Sequence, residues 1–311
     1  MTAAKASVPP AGGRSRISQE TRWAFIFLLP WIFGFLVFTA GPMIWSFYIS
    51  FTEWNGIRPA QFVGLENYFE LFDDRRIPLA LTNTAFYAIL HVPLQIILSL
   101  ALAMLLLRVG RASGFFRTVF YLPTITPTVA VGTLFLVILS GNGIINQALG
   151  VFGINGPNWL TDPSWVKPGI VIMSLWGLGS TVIIYFAALR NVPVELYEAA
   201  RIDGANAWQQ FRAITVPFIS GALFFTIVVN TIASLQLFTE VFTMFFGGVR
   251  SGPAQESALF YVIYLFQQAF GSLEYGYASA MAWLLFVIIL VITIFQLRLS
   301  KRFVYYEGEG R

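Results

Sequence analysis

Two groups of residues in this sequence have side chains that can do chemistry. The first lies in VELYEAARIDGANAWQQFRAITVP, residues 194–217, which gathers Glu195, Glu198, Arg201, Asp203 and Arg212 between two long apolar segments. Carboxylates and guanidinium groups on a short amphipathic helix suit ion pairing and docking rather than bond cleavage. The second group is uncharged. Ser174, Gly177 and Thr181 recur at helical spacing beside Trp176, while Asn230 and Ser234 stand one turn apart near Thr231 and Gln236. Hydroxyl and amide groups beside a flat aromatic surface can hold a polar ligand. The same residue types also serve as hydrogen-bonding glue between membrane helices.

Other chemistries lack their residues. There is no cysteine, so disulfides and thiolate metal sites are absent, and His91 is the single histidine, too little for a histidine metal centre or a catalytic triad. The three lysines, Lys5, Lys167 and Lys301, stand in no Gly-x-x-x-x-Gly-Lys phosphate loop. No clustered catalytic set appears, which speaks against a membrane-embedded enzyme. The formal charge of +4 gives no reason to expect nucleic acid as a partner.

The elements that position these residues are membrane spans. Of 311 residues, 57% are hydrophobic and only 11% charged, far from the balance of a soluble chain. Apolar runs at 23–48, 82–107, 118–140, 166–189, 217–238 and 277–297 are each long enough to cross the roughly 30 Å hydrocarbon layer. The expected fold is therefore an all-α polytopic membrane protein with six transmembrane helices. Pro30, Pro42, Pro93, Pro123 and Pro127 lie in or near these spans, where neighbouring helices can satisfy freed backbone groups. Residues 1–22 read as a disordered polar tail. The run from 23 exceeds a signal-peptide h-region and reads as an uncleaved first span. The six-helix domain covers 23–299, with a second tail at 300–311. The apolar segment 258–270 is too short to cross and reads as interfacial or re-entrant.

Basic residues orient the bundle. With six spans and both ends inside, only Arg58, Arg75, Arg76, Lys167 and Arg250 fall outside, against 14 of the 19 Lys and Arg inside. The 194–217 stretch then faces the cytoplasm. The outer loops carry FVGLENYFELFDD at 62–74, with Leu65, Phe69 and Phe72 on one side, and INGPNWLTDPSW at 154–165. Both fit interfacial anchoring, with tryptophans at the headgroups, and both fit docking of an external protein. No Asp, Glu, Lys or Arg lies well inside a span as drawn. His91 alone is at depth, and hydrogen bonding to a neighbouring helix is the expectation for it rather than proton relay. The chain thus shows no energy source of its own, which weighs against the alternative of a self-sufficient secondary transporter or facilitator.

The 194–217 stretch reads as a helix–turn–helix finger. Pro193 suits a helix start, and Glu195 and Glu198 sit where the helix dipole favours negative charge. Leu196, Ala199 and Ala200 make a narrow apolar stripe. Asp203 favours a turn, and Gly204 fits the left-handed residue that ends a helix. Trp208, Phe211 and Ile214 then mark a second amphipathic helix. The finger either tucks against the bundle or presents its Ala-rich face to a groove on a partner.

The stretch EAARIDGANAWQQFRAITVP resembles the EAA signature of ABC importer permeases through Glu198-Ala199-Ala200, Gly204, Ile214 and Pro217, with Val216 in place of the usual Leu. FLLPWIFGFLVFTAGPMIWSFYISFTEW, FVGLENY, FFRTVFYLP and YGYASAMAW resemble the maltose and glycerol-phosphate type of that family, so the likeness covers nearly the whole chain. Thr239 departs from it where an Asp commonly follows Phe, and GGVRSGP expands the usual Gly-Gly-Pro turn. The resemblance implies an importer permease in a prokaryotic cytoplasmic (inner) membrane. It implies a second permease, two ATPase subunits that bind ATP and Mg, and an extracytoplasmic solute-binding protein as partners, with no cofactor in this chain. The helix around Glu198–Gly204 would enter a cleft of the ATPase, Glu198 pairing with a basic group there. The spans on either side of the finger would line the solute path. Ser174 lies 16 residues from Arg190, about 24 Å of helix, and Asn230 lies 13 from Pro217, about 20 Å, so the two sets share a depth.

Overall fold

A computed structural model describes residues 19–248 and 252–303. Most of the 1–22 tail, the end of the 300–311 tail and Arg250 lie outside the described residues. Among those described, four helices are long and apolar enough to cross a membrane: Trp23–Ile49, Arg76–Arg108, Ser220–Phe245 and Tyr275–Lys301. Two bent pairs, Ser113–Ile125 with Thr128–Ile138 and Pro163–Leu175 with Gly179–Arg190, reach that length only together. The all-α architecture with up to six spans holds. The described residues add one antiparallel pair of two-residue strands, Thr52–Glu53 with Gln61–Phe62.

The runs at 118–140 and 166–189 are broken more sharply than tolerable proline kinks within single spans. The first bends by 99°. Pro123 lies in a 3-10 turn, Leu122–Ile125, and Thr126 before Pro127 is extended at ψ 132°. Proline clashes with a helical predecessor and contributes no N–H to continue the ladder, so the helix stops and restarts at Thr128. The second pair bends by 51° around 176–178, where the Trp176 and Gly177 N–H groups turn back three residues to Met173 and Ser174. Pro93, in contrast, leaves Arg76–Arg108 unbroken over 33 residues.

The fifth span is also longer than expected at 217–238. A turn through Gln236–Phe238 leads into a further helix, Thr239–Phe245, so the candidate span ends at Phe245 and includes Glu240. Glu240 lay outside the span as drawn from the sequence; the longer helix brings this acidic residue within the last turns of the candidate span. Residues 258–270 form a short helix, Tyr261–Phe266, followed by a π turn, Gln267–Gly271. Phe260, Tyr261 and Ile263 are fully buried against protein, so the segment is not laid on lipid.

Apolar packing falls into two clusters. One centres on Tyr87, Ile170, Met173, Tyr261 and Met281; the other joins Leu100, Ala103, Val182, Tyr185 and Ile219 near the finger. Trp159, expected at the headgroups, is 6% exposed and donates from Nε1 to Asn146 Oδ1 at 2.7 Å. Leu65, Phe69 and Phe72 remain exposed along the helix Glu66–Asp73. The helix Trp23–Ile49 buries none of its most apolar stretch within this chain, an exposure that costs nothing against hydrocarbon. At the end remote from the finger, Asp74 accepts from the hydroxyls of Tyr264 and Tyr277. Burial alone would raise this carboxyl, but the two hydroxyls, the Arg76 N–H and the Arg76 charge outweigh it and hold its pKa below the usual carboxylate value.

The bends depend on close backbone approach. A Cβ on Gly179 would lie 2.0 Å from the Phe120 carbonyl oxygen and 2.8 Å from Tyr121 Cα, neither of which can swing aside. Gly179→Val should therefore destabilise the assembled protein by about 2 kcal/mol or more. Gly221→Ala, with nothing within 4 Å of its added methyl, should be neutral or mildly stabilising. Thermal unfolding in detergent checks the pair, and equal midpoints would show that the two bent segments are not packed as described.

Candidate functional site

Five residues were expected to share one depth on two separate spans. The structure gathers all five, Ser174, Trp176, Gly177, Asn230 and Ser234, on the wall of a single cavity of ≈ 280 Å³. The bend at 176–178 is what turns the Trp176 and Gly177 region into the wall. Irregular backbone is tolerated at membrane depth where it lines such a cavity. The Trp176 ring, 37% exposed, is held edge-on by Phe135 at 5.9 Å between centroids.

Their hydrogen bonds divide these residues. Asn230 Nδ2 donates to the Thr226 carbonyl at 2.8 Å, while its Oδ1 has no partner among the described residues. Ser174 Oγ donates to the Ile170 carbonyl at 3.0 Å and accepts from Tyr87 Oη at 2.8 Å. Ser234 is almost fully buried and meets His91 Nδ1 at 3.1 Å, a contact between helices of the kind expected for the lone histidine. The weaker candidates face elsewhere. Thr181 accepts from Gln95 Nε2 at 3.3 Å, Thr231 from Gln296 Nε2 at 3.0 Å, and Gln236 lines a separate cavity beside Val262 and Phe286.

A third wall escaped the sequence reading. Asn83, Tyr87, His91, Gln95 and Ser99 stand at intervals of four along Arg76–Arg108, and all five are buried. Four residues on a helix advance about 6 Å and return to nearly the same face, so the five form one polar edge about 24 Å long. Tyr87, His91 and Gln95 line the cavity. The Tyr87 and His91 rings stack at 5.0 Å with 10° between planes. His91 Nε2, Gln95 Oε1 and Ser99 Oγ are buried without a partner among the described residues, so this edge has hydrogen-bonding capacity to spare. The period-four spacing was the available signal. The fourth wall is the proline-broken segment with Thr124, Thr126 and Thr128, and Glu240 completes the lining.

The finger is the second feature. Val194–Ile202 is a helix with Glu195 in its first turn and Arg201 in its last. Gly204 takes φ +81°, a left-handed conformation, and the Ala205 N–H reaches back to the Ala200 carbonyl at 2.8 Å. A capping box that the sequence reading did not use starts the next helix: Asn206 Oδ1 accepts from the Gln209 N–H at 2.9 Å and Gln209 Oε1 from the Asn206 N–H at 2.7 Å. The second helix passes through a π turn, Phe211–Thr215, instead of continuing as one regular element.

The reading that the finger tucks against the bundle holds for one face and for Phe211, but not for Trp208, which stays exposed. Tyr197, Phe211 and Ile214 pack onto the bundle, and Tyr197 Oη lies 2.9 Å from Thr215 Oγ1. Glu195, Glu198, Ala199, Asp203 and Gly204 are exposed, and Ala200 is half-buried. Ile202 is 87% and Trp208 68% exposed, an apolar surface at this end that the described residues leave uncovered.

Residues 95–305 match the family described as binding-protein-dependent transport system inner membrane component. Among curated relatives, the probable ABC transporter permease protein YesP of Bacillus subtilis (strain 168) is 35% identical over 94% of this chain and 95% of its own length. The lactose transport system permease protein LacF of Rhizobium radiobacter is 34% identical over 88% of this chain and 92% of its own. A crystal structure of a bacterial ABC transporter involved in the import of the acidic polysaccharide alginate contains a chain that superposes with a TM-score of 0.77 at 26% identity, covering 91% of this chain and 96% of that one. The family match and these relatives agree with a bent helical bundle of up to six spans: the chain belongs to the permease family of binding-protein-dependent ABC importers, multi-pass inner-membrane components rather than catalytic subunits.

Proposed function

We propose that this permease moves a saccharide or a similar polyhydroxylated solute into the cytoplasm by alternating access, and that its finger couples the motion to ATPase subunits. The carrying observation is the cavity wall, where Asn230, Ser174, the Trp176 ring and the polar edge of Arg76–Arg108 meet. Hydroxyl-rich solutes need directional hydrogen bonds plus a flat apolar surface, and this wall supplies both. Relatives named for lactose, arabinooligosaccharides and starch degradation products support the substrate class. A cavity of ≈ 280 Å³ is near the lower end for a ligand site, which fits a passage completed by a second permease.

In this reading both termini and the finger are cytoplasmic, and an extracytoplasmic protein delivers the solute at the opposite face. Two ATPase subunits bind ATP and Mg. Each receives a finger: the exposed Ala199 face permits close backbone approach, Glu198 pairs with a cation, and Ile202 and Trp208 are covered on docking. Closure of the ATPase pair draws the fingers together, and the bundle switches as packed rigid bodies. The bends at 126–127 and 176–178 border the cavity, so movement of the finger end changes access to it. ATP biases the switch only through contacts that differ between the two states, and the finger is the contact.

Two outcomes test the roles. Glu198→Arg or Gly204→Pro should weaken copurification of the ATPase about tenfold or more while membrane insertion stays normal. Unchanged copurification together with unchanged transport-linked ATP hydrolysis would remove the finger from coupling. Asn230→Leu should lower solute uptake about tenfold with the complex intact, because a buried apolar group replaces an available amide. Uptake at the unaltered rate would take Asn230 out of the solute path.

A further inference from the structure

Glu240 is the one residue of the cavity lining that ordinarily carries a full charge. The other lining groups are hydroxyls, amides, aromatic rings, apolar side chains and the buried His91, and no Lys or Arg is among them. The carboxylate is half-buried, and among the described residues no hydrogen bond or ion pair engages its side chain. Its backbone is fixed by a close crossing with Thr128–Ile138. A Cβ on Gly132 would lie 2.9 Å from the Glu240 carbonyl oxygen and 3.0 Å from Thr243 Cβ. The position on the wall is therefore set by packing rather than by a mobile loop. An unpaired ionisable group within a membrane span is costly, and such groups ordinarily face a water-filled path and act there.

The surroundings reinforce its sign. Among the described residues on the face opposite the finger, 53, 66, 70, 73, 74, 162, 256 and 274 supply eight carboxylates against four cations at 58, 75, 76 and 167. Glu70 there is crowded enough that burial, with Glu274, Asp74 and Glu66 adding to it, pushes its carboxyl pKa upward. A solute that reaches the cavity meets a negative wall, and a low-dielectric path strengthens its field.

We propose that Glu240 is a charge filter: it admits neutral and cationic saccharides to the cavity and turns back anionic ones such as uronates and sugar phosphates. The saccharide part rests on the function proposed above, whereas the filter rests on the cavity alone. Glu240 acts by its field and as an acceptor for a solute hydroxyl or ammonium group, with no covalent step.

The absence of cysteine in this chain makes a direct test available. Ser180 is exposed and lines the same cavity, so Ser180→Cys places a near-isosteric thiol in it. In permeabilised membranes holding the whole importer, this thiol is labelled with methanethiosulfonates bearing either a trimethylammonium or a sulfonate group. Rates are read by mass spectrometry of this chain and normalised to those of free 2-mercaptoethanol. The normalised cation-to-anion ratio should be about tenfold with Glu240 present, be retained in Glu240→Asp, fall towards unity in Glu240→Gln and invert in Glu240→Lys. A ratio unchanged by Glu240→Gln overturns the filter. Uptake of lactose, a glucosamine dimer and a galacturonate dimer is measured in parallel. If the ratio follows Glu240 but none of the three enters, the filter stands and the saccharide reading fails. If lactose enters and the ratio ignores Glu240, the saccharide reading stands and the filter fails.

Discussion

A polar side chain in hydrocarbon must find a partner, and much of this bundle is arranged around one helix that carries five of them in register. Asn83 Nδ2 donates to the carbonyls of Glu256 and Leu259 at 2.8 and 3.1 Å, and its Oδ1 accepts from Lys167 Nζ at 3.0 Å. Tyr87 bonds Ser174, His91 bonds Ser234 and Gln95 bonds Thr181. One edge of Arg76–Arg108 thus ties both halves of the bent fourth span, the fifth span and the 258–270 segment. In water each bond would be worth about 1 kcal/mol net; at membrane depth the orphaned alternative is costlier, so the ties also specify which faces meet. The apolar clusters then fill the space between these faces.

The same edge explains why the cavity is where it is. Helices held by polar contacts along one line cannot also close over their bends, and two bends occur beside that line. Pro127 and the close approach of Gly179 to Phe120 hold the bends open, so irregular backbone and small side chains front the space. The resulting wall mixes structural and available groups. Ser234 and Ser174 are engaged in holding helices, whereas Asn230 Oδ1, Trp176 and Glu240 line the cavity, and among the described residues neither Asn230 Oδ1 nor the Glu240 carboxylate has a hydrogen-bond partner.

The finger obeys a different logic. Its attachment to the bundle is apolar and on one side, through Tyr197, Phe211 and Ile214. Its other side combines carboxylates with exposed Ile202 and Trp208. Attached and exposed faces are thereby separated on about 25 residues, so the proposed docking would leave the packing of the base intact.

Much of this was legible in the residues alone. Hydropathy over twenty-residue windows determines how many segments cross, because the hydrocarbon layer admits only chain that satisfies its own backbone. Gly204 and Pro193 mark the ends of the finger helix through strictly local backbone preferences. Asn230 and Ser174 fall at one depth because helical rise is constant. What escaped depends on more than one segment at a time. The bends at Pro127 and Trp176 look like tolerable kinks in isolation and become walls only when neighbours pack beside them. The edge from Asn83 to Ser99 is polar in any alignment of the helix, yet its inward direction is set by partners on three other segments. Glu240 lies beyond the apolar run at 217–238, and only the continuation of the helix after the turn brings it to the cavity. The sequence by itself determined the crossing segments and the finger, which obey local rules; tertiary packing alone decided which polar groups share a space, because that depends on the rotation of each helix about its axis.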